Sequence, residues 1–129
     1  MATLKPRLIL KCSDATDDIL NMNVSDSLQV TDPFISPSKV ACTTTGEDTV
    51  IVPASTDIKY VYIKHTGKDA SDAPNVANLL VEITNGTQIA ELAPNEWMIL
   101  PFKGPGSVGV QVEAASTTIV VEYAYWTKA

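Results

Sequence analysis

The chain has 129 residues, with nine basic and fifteen acidic side chains, a formal net charge of −6 and a sequence pI of about 4.5. A single arginine on an acidic chain excludes broad nucleic-acid binding, because phosphate neutralisation needs clustered cations. With 45% hydrophobic residues there is enough apolar side chain for a core, so neither disorder nor a disulfide scaffold is required.

Thr, Val and Ile number 14, 13 and 10, against 9 Leu and 6 Glu. Such residues are stiff at χ1 and fit a pleated surface, which points to β structure. In chain order, Leu8 to Leu10 suggest a short strand. Leu20, Met22, Val24, Leu28 and Val30 then keep a two-residue period, broken near Asp26, for one bent strand or two short ones. Residues 33–48 hold Pro33, Pro37 and three consecutive threonines, and are read as a crossing loop because proline cannot donate to a ladder. Residues 1–32 are then either an N-terminal arm or the first strands of the body.

From Thr49 the pattern strengthens. TVIVP at 49–53, IKYVYIK at 58–64 and NLLVEIT at 78–84 read as strands. Asn85-Gly86 predicts a two-residue type I′ turn, which needs positive φ at both positions, and so a hairpin of Leu79–Thr84 with Thr87–Leu92. Strands follow at Glu96–Phe102, at Val108, Val110 and Val112, and at Ile119–Tyr125, where Val120, Ala124 and Trp126 make the second face apolar too. No helical period appears, and Asp69–Leu79 holds at most one turn. About eight short strands at intervals of roughly ten residues predict a single all-β domain over 1–129, a jelly-roll sandwich with essentially no helix.

The chemistry sought in the sequence is mostly missing. His65, the only histidine, stands at a strand-to-turn boundary and reads as an exposed polar residue, with no Cys or second His near it for zinc. Gly104 to Gly109 fits G-x-G-x-x-G by letter, but Pro105 lies inside it and the alternating VGVQVEA follows where a helix is needed. Ser107 lacks the glycine two positions before it that a nucleophile elbow has. The Asp14, Asp17, Asp18 and Asp69, Asp72 groups lack the spaced ligand series of a calcium loop. Glu82, Glu91, Glu113 and Glu122 fall at outward strand positions and read as a solvent face. No catalytic, cofactor or metal residue is therefore assigned, and no enzyme activity is expected. Cys12 and Cys42 allow one bridge, but two cysteines beside a sufficient core read as free thiols. The apolar run Leu8–Leu10 is far short of a signal-peptide core or membrane span, so neither export by a cleaved signal nor a membrane partner is expected. Asn23-Val-Ser25 and Asn85-Gly-Thr87 match the glycosylation tripeptide, which has meaning only on secretion.

What remains is surface. Trp97, Trp126, Tyr60, Tyr62, Tyr123 and Tyr125 are large amphipathic groups that serve as core or as anchors for a partner. Trp126, four residues from the end, is expected to be the more exposed tryptophan. Lys5, Arg7 and Lys11 give the first segment a local positive face. These five residues, Trp126, Trp97, Lys5, Arg7 and Lys11, are the candidate partner-binding set.

The stretches MATLKPRLILKCSDATDDILNMNVSDSLQVTDP, VYIKHTG, IAELAPNEWMILP and VEYAYW together resemble small virion structural proteins of tailed bacteriophages, cyanophage types in particular. The resemblance spans most of the chain and is one of style, without a strict motif. It implies a jelly-roll module that decorates or cements a capsid: a trimer bound to the major capsid protein lattice on the virion exterior, made in the host bacterial cytoplasm. A tail or baseplate accessory protein is the nearest alternative, and a jelly-roll carbohydrate-binding module a third.

Overall fold

The computed structural model describes residues 1–14, 20–43, 48–104 and 108–129. They form eleven strands and, among the described residues, no helix. The strands are β1 (Ala2–Leu4), β2 (Arg7–Cys12), β3 (Leu20–Ser25), β4 (Leu28–Cys42), β5 (Thr49–Ser55), β6 (Lys59–His65), β7 (Leu79–Ile83), β8 (Gln88–Leu92), β9 (Trp97–Phe102), β10 (Val108–Ala114) and β11 (Ile119–Lys128). Two compact units are present, Met1–Thr31 with Lys128–Ala129, and Asp32–Thr127.

The larger unit is a jelly roll. Its sheets run in the orders β4-β11-β6-β9 and β5-β10-β7-β8. Strand neighbours therefore nest as β7 with β8, β6 with β9, β5 with β10 and β4 with β11, the signature of one long hairpin rolled into two layers. Val61, Ile63, Val121 and Tyr125 from one sheet and Ile51, Leu79, Val81, Leu92, Val110 and Val112 from the other are all buried in a single core cluster. Met98, Leu100, Phe102 and Tyr123 are half-buried against it. β11 lies between β4 and β6, which accounts for apolar residues on both of its faces.

Three expectations about local structure change. The segment read as a crossing loop is strand as far as Cys42. β1 pairs only with Leu28–Val30, so beyond Thr31 one side of β4 has no ladder partner and tolerates Pro33 and Pro37. The 79–92 hairpin forms, but its turn is not type I′: Gly86 has φ of 87° and Asn85 is not at positive φ. Gly86 N donates to Ile83 O at 2.8 Å, Ile83 N to Thr87 O at 3.0 Å, and Thr87 N to the Asn85 side-chain oxygen at 3.0 Å. This is a tight turn centred on Thr84-Asn85 followed by a glycine bulge, which needs a left-handed residue at one position only. Finally, 69–79 makes no helical turn; Asp69 Oδ1 accepts from Ser71 N and Ala73 N, at 2.8 and 2.9 Å, in a side-chain-closed turn.

The smaller unit is built from β1, the start of β4, and a separate two-stranded sheet of β2 and β3. Of the two readings of residues 1–32, β2 and β3 do not enter either sheet of the sandwich; they pair with each other, from Arg7↔Ser25 to Cys12↔Leu20.

Candidate interaction surfaces

The period of two in β2 and β3 sorts their side chains onto two faces. The register pairs Leu8 with Val24, Leu10 with Met22 and Cys12 with Leu20 on one face, and Arg7 with Ser25, Ile9 with Asn23 and Lys11 with Asn21 on the other. Leu8, Leu10, Leu20, Met22 and Val24 each keep between 37% and 53% of their surface exposed. A two-stranded ribbon is marginal on its own, and this one presents a continuous apolar stripe backed by cations. Lys5, Arg7 and Lys11 are all exposed, and Arg7 Nε donates to the Asn23 side-chain oxygen at 3.3 Å.

The second surface is the outer face of β11-β6-β9. Register places Trp126, Tyr60 and Pro101 in one row, Ala124, Tyr62 and Ile99 in the next, and Glu122, Lys64 and Trp97 in the third. Trp97 is 50% and Ile99 43% exposed. Tyr62 and Trp126 are half-buried, and Tyr60 is buried. Trp97, not Trp126, is thus the more exposed indole: β9 is the last strand of its sheet with a neighbour on one side only, whereas β11 is flanked on both. The Tyr62 hydroxyl donates to Glu122 Oε1 at 2.9 Å. Burial, then the Glu122 bond and charge, push the Tyr62 phenol up to about 12, so it stays a neutral donor at neutral pH.

His65 is not exposed. It is fully buried on the inner face of β6, with Gly67 N donating to Nδ1 at 2.9 Å and Nε2 2.8 Å from Ala77 O. A ring whose Nδ1 accepts must carry its proton on Nε2, which then donates to the Ala77 carbonyl. Asn75, also buried, continues this network: its side-chain oxygen accepts from Ala77 N at 2.8 Å and Thr117 Oγ1 at 3.1 Å, and its Nδ2 donates to Thr118 O at 2.6 Å. The sole histidine thus fastens the 66–78 loop to the body.

Glu82 does point away from the core but is buried, and accepts from Gln111 Nε2 at 3.1 Å. The carboxylates of Asp48, Glu82 and Glu113 lie within 4.8 Å of one another. Three carboxylates fall short of the six to eight oxygens a calcium ion takes, and the group assigns no ion by itself. Cys12 and Cys42 are both free thiols; burial pushes the Cys42 thiol up to about 11. Asp17, Asp18 and Ser107 lie outside the described residues. Where the glycine pattern of 104–109 would need a helix, strand β10 begins at Val108.

No family model matches the sequence, and no curated protein matches it. The stripe on the hairpin, found by register, had a sequence signal in its alternating Leu, Met and Val; the His65 network had none.

Proposed function

We propose that the protein is a non-enzymatic virion structural protein of a tailed bacteriophage, a decoration or cement protein that binds the major capsid protein lattice on the outside of the head as a trimer. The observation that supports it is the pair of exposed apolar surfaces, the β2–β3 stripe and the Trp97 face, on a closed jelly roll. Exposed contiguous apolar groups rimmed by polar ones mark surfaces for protein contact, and the resemblance of MATLKPRLILKC, IAELAPNEWMILP and VEYAYW to virion proteins supplies the class of partner. A cement protein works by mass action: it binds assembled lattice in preference to loose subunits and adds RT ln(1 + [L]/Kd) per site. A trimer touching several subunits gains further through effective concentration, so that modest single contacts suffice.

The test is direct. Purified protein added to expanded heads should cosediment with them and raise their melting temperature; absence of binding at micromolar protein removes the reading. Labelled protein found only at the tail of intact virions selects the tail or baseplate alternative. Half-exposed Trp97 beside Lys64, Glu122 and the Tyr62 hydroxyl keeps the carbohydrate reading in view. Its indole can stack on a sugar ring, so quenching of Trp97 fluorescence by glycans, lost in Trp97→Ala, would favour that reading.

A further inference from the structure

We propose that the apolar face of the β2–β3 hairpin of one copy packs on the Trp97 face of β11-β6-β9 of a second copy, in a head-to-tail contact that closes into a small ring. This goes beyond the reading above and stands without it, since no capsid is needed for the contact.

The first argument is pattern. Alternation over β2 and β3 is that of strands buried on one side, yet the apolar side, Leu8, Leu10, Leu20, Met22 and Val24, remains open. A flat apolar sheet face is what packs against such a stripe, at the roughly 10 Å spacing of stacked sheets. Trp97 and Ile99, both exposed on one edge strand, offer that kind of face.

The second argument is charge. Residues 1–13 hold three cations, Lys5, Arg7 and Lys11, and no carboxylate side chain, while the rest of the chain holds six cations against fifteen carboxylates. The Trp97 face is rimmed by exposed Glu96 and half-buried Glu122, against one cation, Lys64. A hairpin facing a second hairpin would bring like charges together, whereas a hairpin facing the Trp97 sheet brings opposite ones together. The favoured contact is therefore heterologous.

The third argument is area. Each patch contains only a few part-exposed side chains, small beside the about 800 Å² per partner of a stable interface. In a closed ring every copy uses both patches, its own hairpin and its own Trp97 face, so the area buried per copy doubles and no apolar stripe is left at an end.

Sedimentation of the full chain tests this with two variants at exposed sites, Leu10→Asp on the hairpin and Trp97→Glu on the sheet. Wild type should sediment as a closed oligomer that weakens with salt. Each variant alone should weaken association by about thirtyfold or more, the size of losing a hot spot. Mixed one to one, the two should form a heterodimer and stop there, because the mixture retains one intact hairpin and one intact Trp97 face. A urea midpoint near wild type confirms that each variant folds. Arg7→Glu with Lys11→Glu provides a second hairpin variant, to be rescued by Glu96→Lys with Glu122→Lys. The proposal falls if wild type is monomeric up to roughly 0.1 mM, where a contact of even about 5 kcal/mol would show. It also falls if Trp97→Glu self-associates like wild type, or if the mixed variants stay monomeric.

Discussion

Replacing His65 by Phe keeps an aromatic ring of similar size at a fully buried position and deletes two hydrogen bonds, those to Gly67 N and Ala77 O. Little cavity is created, so the loss measures the polar terms. Each orphaned buried backbone group costs about 1–3 kcal/mol, and the sum is about 2–6 kcal/mol, toward the low end if the Ala77 carbonyl turns to another donor. Urea unfolding should therefore show a midpoint shifted down with an unchanged m-value. Amide exchange at Gly67 and at Asn75, whose N–H donates to Gly67 O at 2.9 Å, should speed up more than exchange at Val61 or Val121 in the core. A loss under about 1 kcal/mol with unaltered exchange in the loop would refute the claim that the histidine fastens it.

Gly109→Ala should be among the most damaging single-methyl changes: a Cβ there would lie 1.9 Å from the Val52 carbonyl oxygen and 2.7 Å from the Pro53 carbonyl carbon, so β5 and β10 must separate. A loss of about 3 kcal/mol or more is expected by urea titration, at the top of the range for overpacking. Stability should also fall in alkali. Burial raises the Cys42 thiol from its ordinary 9.0 to about 11, so the unfolded chain loses this proton first, and the stability present below pH 9 drains away as pH rises toward 11. Cys42 contributes about 2–3 kcal/mol to that loss, and Cys42→Ala should show a flatter profile over the same window. At pH 8 a thiol reagent should modify half-exposed Cys12 at once and Cys42 only on unfolding. Trp97→Ala, at a half-exposed site, should move the urea midpoint by less than about 1 kcal/mol while weakening association, which separates its surface role from a core role.

The strands after Thr49 are legible because their alternation is the direct imprint of a buried face, and the spacing of turn signals between them already implies two layers. β4 is not, because Pro33 and Pro37 are excluded only from ladders that need their N–H groups, and whether a strand has such a neighbour is set by the sheet order, which local sequence does not contain. The same holds for His65 and Glu82. Their burial is tolerable only because Ala77, twelve residues on, and Gln111, twenty-nine residues on, bring partners to them. A polar residue's fate thus rests on contacts far along the chain, and a default of exposure fails at those sites.

The two tryptophans show the reverse. Both alternate onto the outer face of one sheet, so the face is readable, but their exposure follows from whether one strand or two stand alongside. Trp126 on flanked β11 is half-buried, and Trp97 on terminal β9 is open. The hairpin carries this one step further. Its alternating Leu, Met and Val spell a buried side as plainly as any strand of the core, yet the apolar side stays two-fifths or more exposed at most positions. Where a pattern of burial is written into the sequence and the single chain leaves it open, the missing layer is a second molecule, and the acidic, Trp97-bearing sheet supplies a surface of matching chemistry.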